Sequence, residues 1–327
     1  MTDSASTTVS SCEDCELNWW SVLLWGVFTV IMLLIIIVGN TAVTWITLRF
    51  LRMQSFTNLL LANMCFAQLP LAVFFSPFRF VYSLNSDLYF GKSYCRFSNF
   101  VANMSVAVTA ITLSIISVER FLAIVWSINT RMPKKITLLM IISFWVAGFA
   151  IGVPSAVNFS TIIHKDNGTT RTGYVLTWVD GDPSNSSLDH TYNVAMLHMA
   201  YVVPICIMAV CCSSIAIKLW FSRSSGQPTQ REIDIMHYKK KEFIMLVSMM
   251  MVFATFTLPY HLLNIYTGYD PAKQNSAHAK HLNLTVNWLV GFPAVVNPML
   301  NLWMNSRYSS LPKTKLTAVL KALVTTT

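Results

Sequence analysis

Charge is what this chain has least of. Only 11% of its 327 residues are Asp, Glu, Lys or Arg, and 54% are hydrophobic, with a mean hydropathy of +0.53. A soluble domain carries about a quarter charged residues, so an ordinary water-soluble globule is excluded. Chemistry-bearing clusters are missing too. No nucleophile–base pair and no metal-ligand grouping stands out, and the lone Cys12-x-x-Cys15 makes no metal site. An enzyme is therefore not indicated, and neither a cofactor nor a metal is expected. The first twenty residues lack a basic start followed by an apolar run. They are acidic and Ser/Thr-rich (Asp3, Glu13, Asp14, Glu16) and do not read as a cleaved signal peptide. Also lacking are the inverted repeats and mid-membrane charges that a transporter or channel, the rival class, would carry.

What is present is apolar sequence in long runs. A bilayer core about 30 Å thick needs roughly 20 apolar residues per helical span. Seven such segments lie near Ser21–Leu48, Phe56–Tyr82, Tyr94–Trp126, Ile136–Ala156, Asn193–Phe221, Lys241–Tyr266 and Leu282–Met304. The expected fold is an all-α integral membrane protein, a seven-transmembrane helix bundle. Its parts are an outer tail over 1–20, the bundle over 21–304 and an inner tail over 305–327. The formal charge of +9 would suit nucleic acid if it were clustered, but its distribution decides otherwise. With the N-terminus outside, 16 of the 23 Lys and Arg residues fall on the inner loops and tail. That is the positive-inside asymmetry of a multi-pass protein in lipid, here the plasma membrane, and no nucleic acid is expected.

Two connections are longer than the rest. The outer one, about Val157 to Tyr192, is rich in Gly, Asn, Ser, Thr and Asp; the inner one, about Ser222 to Lys240, is polar and mixed in charge. Neither can hold another domain. Sequons at Asn158, Asn167, Asn185 and Asn283 fall in or beside outer loops, with Asn167 and Asn185 the expected glycosylation sites. Beyond the seventh span, Leu316, Val319, Leu320 and Leu323 recur at helical spacing beside Lys313, Lys315 and Lys321. This pattern fits a short amphipathic helix on the inner leaflet, with a frayed tail as the alternative.

Inside the spans, Pro77, Pro154, Pro204, Pro259 and Pro298 each remove a backbone donor and open a kink. Five together suit helices that pivot. Asn40, Asn63, Gln68, Asn297 and Asn301 are polar groups expected to form a hydrogen-bonded core, as static glue or as a switch. Glu119 and Arg120, followed by Phe121, close the third span. A guanidinium restrained by its neighbour can be released to meet a cytoplasmic partner.

Gly39-Asn40, Cys95 with Arg120 25 positions later, Trp145 with Pro154, Pro204, Leu258-Pro259-Tyr260-His261 and Asn297-Pro298 occur in this order along the spans. In that set the chain resembles rhodopsin-like (class A) G-protein-coupled receptors. Within the class it resembles tachykinin (neurokinin) receptors. The runs that carry this are Trp45-Ile46, Arg52-Met53 with Thr57-Asn58, Tyr89-Phe90-Gly91 through Cys95-Arg96-Phe97, Asn99-Phe100, and Leu219-Trp220 with Ser222. The resemblance implies an extracellular peptide ligand, a heterotrimeric G protein inside, and arrestin as a further partner. It implies that Arg120 faces the G protein once the inner end of span six swings out, and that Ile128 docks against the Gα subunit.

Several switch positions depart from the family. Gln68 replaces the second-span acid, so the usual sodium site lacks its charge. Thr257 stands for the Trp before Pro259, Cys212 for a span-five Tyr, and Asn301 for the last Tyr of the span-seven motif. The alternative function they raise is a receptor that binds ligand but signals weakly, as a scavenger or silent partner. The second outer loop contains no cysteine, although Cys95 pairs there in relatives. Cys95 with Cys12 or Cys15, a local Cys12–Cys15 bridge, and three free thiols all stay open. Ala102 removes the acid an amine ligand needs, and Gly291 the lysine a retinal needs. By family position the peptide pocket is expected at Arg79, Tyr82, Asn103, Tyr260, His261, Asn264 and Asn287, with Trp178 above it. Arg79 suits a carboxylate and the amides suit peptide groups.

Overall fold

In hydrocarbon every backbone polar group needs an internal partner, so each predicted span must be helical, and each is. The computed structural model describes residues 18–85, 90–128, 132–166, 169–176, 178–180, 186–222, 230–269 and 277–304. Span one is α1 (Trp19–Arg49). Span two is α2 (Phe56–Pro70), a π-helical turn (Leu71–Phe75) and α3 (Ser76–Asn85). Spans three and four are α4 (Gly91–Ile124) and α5 (Lys134–Val157). Span five is α6 (Ser187–Leu197), a second π turn (His198–Val202) and α7 (Val203–Ser222). Spans six and seven are α8 (Gln230–Tyr269) and α9 (Ala277–Met304). Six spans are long and apolar enough to cross a membrane by composition alone; α9, diluted by Asn, His and Lys, joins them by packing on α1 and α8.

Three features differ from the expectation. The outer loop after α5 contains an antiparallel hairpin, β1 (Phe159–Asp166) with β2 (Thr169–Leu176), in a register pairing Phe159 with Leu176 and Asp166 with Thr169. Its signal is in the sequence, two runs rich in Thr, Ile, Val and Tyr around Asn167-Gly168. Span six begins at Gln230 rather than Lys241, so much of the polar inner loop is a helical extension. Span five begins at Ser187 rather than Asn193, with Ser186 Oγ accepting from Asp189 N at its start. Asn167, Asn185, Cys12, Cys15 and the inner tail over 305–327 lie outside the described residues.

The two π turns share a cause. Each ends two residues before a proline, Pro77 or Pro204, whose ring crowds the carbonyl four residues earlier. Widening that turn relieves the clash and shifts the register of side chains facing the outer half of the bundle. Ser76 Oγ donates to the loosened Leu71 carbonyl at 3.3 Å.

α4 is the central helix: 67% of its most apolar window is buried, against 11% for α1 and 22% for α5, whose faces meet lipid. Its contact with α5 is close because Gly148 and Gly152 face it. A Cβ at Gly148 would lie 2.7 Å from Val108 Cγ2, and one at Gly152 would lie 3.0 Å from the Phe100 carbonyl. Small residues at such crossings are how membrane helices gain van der Waals packing. Leu60, Leu61, Met64, Leu113, Ile116, Met208, Ile215, Leu246 and Met249 form the fully buried inner core.

Candidate functional site

The inner end of the bundle gathers charge around Arg120. Its Nε lies 3.0 Å from Glu119 Oε2, and Nη2 donates to Thr57 Oγ1 of α2 at 2.5 Å. Thr57 in turn donates to Glu119 Oε2 at 3.2 Å. The remaining arm, Nη1, is ion-paired with Glu242 Oε2 of α8. One half-buried cation thus joins spans two, three and six, flanked by two carboxylates that are each less than a tenth exposed. A cleft of about 430 Å³ opens beside it, lined by Arg120, Ala123 and Ile124 on α4 and by Arg231, Asp234, Ile235, Tyr238, Lys239 and Glu242 on α8.

Ile128 lies four residues past the end of α4 at Ile124. Ile128 N donates to Leu122 O at 3.2 Å while Ser127 takes a left-handed backbone, φ 55°. A residue in the left-handed region just past a helix end is a common stop, and here it is serine where glycine is commoner. It leaves Ile128 about half exposed, and Phe121 packs its ring on Trp126 at 5.7 Å.

The amides expected as one polar core divide into two. Asn63 Nδ2 donates to Thr112 Oγ1 at 3.0 Å and its Oδ1 accepts from Trp145 Nε1 at 2.9 Å, tying α2, α4 and α5. On the other side, Asn40 Nδ2 donates to the Ile36 and Ala294 carbonyls, both at 2.9 Å, joining α1 to α9. Among the described residues, the Asn297 and Asn301 amides donate to sulfur, Met64 Sδ and Cys65 Sγ, each at 3.8 Å. Asn40 Oδ1, Gln68 Oε1, Asn297 Oδ1 and Asn301 Oδ1 are buried and meet no donor among the described residues. The set is neutral throughout, which does not fit the carboxylate-held sodium ion that the resemblance implies. Among the described residues no His, Cys, Asp or Glu group could hold a metal. Pro298 packs against Gly39, where an added Cβ would lie 3.0 Å from its ring. Cys212 sits in the apolar inner core and Thr257 is buried on α8, two residues before Pro259.

The outer half gathers most of the expected pocket residues into three groups. Arg79 Nε donates to Asn287 Oδ1 at 3.2 Å, Asn287 Nδ2 donates to Ser83 Oγ at 3.4 Å, and the guanidinium lies 5.8 Å from the Phe75 ring. Asn103 Nδ2 donates to Tyr192 OH at 3.3 Å, and Tyr192 lies 5.3 Å from the Trp178 ring. Trp178 Nε1 donates to Asp189 Oδ1 at 3.0 Å, which fastens the outer loop to span five. Tyr260 packs on Leu71, Phe75 and Ala102 and lies 5.7 Å from His261, which is itself 5.8 Å from Tyr201. Tyr82 stacks on Phe78 at 6.2 Å, beside Phe90 and Tyr94. Asn264 is half-buried one turn further along α8. Cys95 is buried and unbridged to any described cysteine, its sulfur 3.7 Å from Asn99 Nδ2.

At the corner before span five, Asp180 accepts from Leu188 N at 2.9 Å and Ser186 Oγ at 2.7 Å. Those donors hold its carboxyl below the usual carboxylate range, the Leu188 amide contributing most.

Sequence reasoning missed Glu242, Thr57, Tyr192, Asp189 and Tyr201. Glu242 was findable as an acid at the edge of an apolar run, where a charge is expensive unless paired. Thr57 stands out in the sequence only as part of the Thr57-Asn58 pair. The three others had no signal beyond residue type.

The model of seven-transmembrane receptors of the rhodopsin family matches residues 39–300. The Tachykinin-like peptides receptor 86C of Drosophila melanogaster is 33% identical over 295 residues, covering 90% of this chain and 58% of that protein. Receptor 99D of the same organism is 31% identical over 307 residues, covering 94% and 59%. The human Neuromedin-K receptor is 27% identical over 289 residues, covering 88% and 60%. The chain thus spans about six-tenths of the length of these curated relatives.

Proposed function

The chain belongs to the rhodopsin family of seven-transmembrane receptors, and on that premise we propose that it binds an extracellular peptide and promotes nucleotide exchange on a heterotrimeric G protein. The observation that carries the reading is the state of Arg120, a cation held by Glu119, Thr57 and Glu242 at the head of an inner cleft. Breaking the Glu242 arm separates α8 from α4 and frees one face of the guanidinium. A buried pair is strongly unfavourable to split unless a new partner takes the exposed charge. The Gα subunit is that partner, with exposed Ile128 as its apolar anchor.

The trigger lies at the outer end. A peptide entering between Arg79, Tyr82 and Asn287 on one side and Asn103, Trp178, Tyr260, His261 and Asn264 on the other competes with the hydrogen bonds now made there. Arg79 receives a carboxylate and the amides receive peptide groups. In this arrangement the N-terminal tail (1–20) lies outside the plasma membrane. Residues 21–304 are the receptor domain, and 305–327 lie inside, with their amphipathic segment on lipid and arrestin as a further partner. Glycans on Asn167 and Asn185, and a bridge from Cys95 to Cys12 or Cys15, belong to the outer face.

A second reading is favoured by one set of residues. Cys212, Thr257 and Asn301 are buried where longer or aromatic side chains relay the signal in relatives. A receptor that binds without signalling would result. Nucleotide exchange measured on a panel of Gα subtypes, in membranes carrying this chain and exposed to a neuropeptide library, separates the two. Peptide-dependent exchange supports the first reading; saturable binding without exchange on any subtype replaces it with the second.

A further inference from the structure

Span six carries Pro259 inside its helix, where the missing backbone donor favours a bend, and the aromatic that relatives carry two positions earlier is Thr257 here. Thr257 is buried and has no ring with which to push. A different side chain reaches the bend. Tyr201 lies in the π turn of span five, and its hydroxyl donates to the Ala254 carbonyl at 2.8 Å. Pro259 lacks an N–H, so the carbonyl it leaves without its helical donor is that of Thr255, next to Ala254. The Tyr201 bond therefore lands where carbonyl directions change most as the bend opens or closes.

The same ring faces outward as well. Its centroid is 5.8 Å from the His261 imidazole and 6.3 Å from Phe253. His261 is only 5% exposed, with Nε2 meeting no hydrogen-bond partner among the described residues, and it lies against Tyr260, another of the expected ligand residues. Tyr260, His261, Tyr201 and Phe253 form an aromatic column crossing the level of the bend.

We propose that Tyr201 is the positioning residue that couples the outer pocket to span six: its hydroxyl holds the Ala254 carbonyl in the closed state and releases it when a ligand shifts His261. The inference rests on the receptor reading above. It assigns to span five a role that Thr257 cannot perform on span six.

The test uses the full chain in lipid nanodiscs, with encoded spin labels at Lys135 and His237 and neither peptide nor G protein present. Tyr201→Phe removes one hydroxyl and keeps the ring. The expected result is about a threefold rise in the ratio of long to short label distances, the shift one interhelical hydrogen bond supports. An unchanged distance distribution overturns the proposal, most plainly if the melting temperature falls at the same time, as a merely structural bond would require. A Y201F chain that fails to fold overturns it equally. Because the labels report span six directly, an absent peptide response in the exchange assay bears on the receptor reading alone.

Discussion

Neutralising Glu242 is the sharpest perturbation this bundle offers. Glu242→Gln keeps the shape and removes one of the two negative charges facing Arg120. Unit charges about 4 Å apart attract by about 4 kcal/mol at an effective dielectric near 20. Much of that is offset, because Glu242 is only 5% exposed and was desolvated to make the pair. Glu119 and Thr57 sit on spans three and two, so they hold Arg120 whether or not span six moves and cancel from the difference. A net preference for the closed state of about 1–2 kcal/mol remains, a factor of roughly 5–30 in the open-to-closed ratio. A resting open fraction of about 1% would rise to about 5–25%. Basal nucleotide exchange without peptide should increase by the same factor, and label distances between Lys135 and His237 should lengthen in step. Basal exchange within twofold of wild type, with the distance distribution unchanged, would refute the argument that this pair restrains span six.

Arg120→Ala should abolish exchange while leaving peptide affinity within a few-fold, since the guanidinium belongs to the inner cleft; a mutant that signals fully refutes its role. Gly152→Ala should destabilise the bundle by about 1–3 kcal/mol, because the added Cβ meets the Phe100 carbonyl at 3.0 Å and backbone cannot move aside cheaply. Thermal unfolding in detergent reads this directly, and an unchanged midpoint would show that α4 and α5 separate freely. The Asp180 cap should be pH-dependent. Its folded-state pKa is lowered, so its contribution is present above the ordinary aspartate value of about 4 and is lost as pH falls through the lowered value. Amide exchange at Leu188, corrected for intrinsic rate, should stay slow from neutral pH to about pH 5 and quicken only below the ordinary value; Asp180→Asn should remove that step, and a variant that keeps it would assign the step elsewhere.

The spans were legible because lipid enforces a simple rule. Runs of apolar residues about 20 long have no alternative but helix. Individual residues were legible where the physics is local: Pro77 and Pro204 beside distorted turns, and Glu119 beside Arg120. Contacts that depend on helix rotation were not. Asn63 and Gln68 lie five positions apart on the same span, about 140° around the helix, and Asn63 bonds to α4 and α5 while Gln68 Oε1 meets no donor among the described residues. The π turns before Pro77 and Pro204 add a further rotation that periodicity cannot anticipate, and Arg79 and Tyr201 lie within or beyond them. Span six misled for another reason. The polar stretch ahead of Lys241 carries no membrane signal, yet it continues the helix and lines the cleft.

The departures at Gln68, Cys212, Thr257 and Asn301 share a direction. Each replaces a charged or long hydrogen-bonding or aromatic group with a smaller or neutral one, and each is buried. Removing a relay from the middle of a bundle weakens coupling only if nothing else spans the same helices. Here the polar middle is left with amide oxygens that meet no described donor. Two directed bonds to span six lie far apart along it, Tyr201 to Ala254 near Pro259 and Glu242 to Arg120 at the inner end. A helix held at its bend and its tip moves as a lever, so both bonds must give for the cleft to widen. If the two bonds fail together, Tyr201→Phe and Glu242→Gln should be non-additive in one chain. The double variant should open no further than E242Q alone by more than about twofold, whereas independent restraints would multiply to a further factor of about three. The label distances of the four chains decide between a single lever and two separate latches.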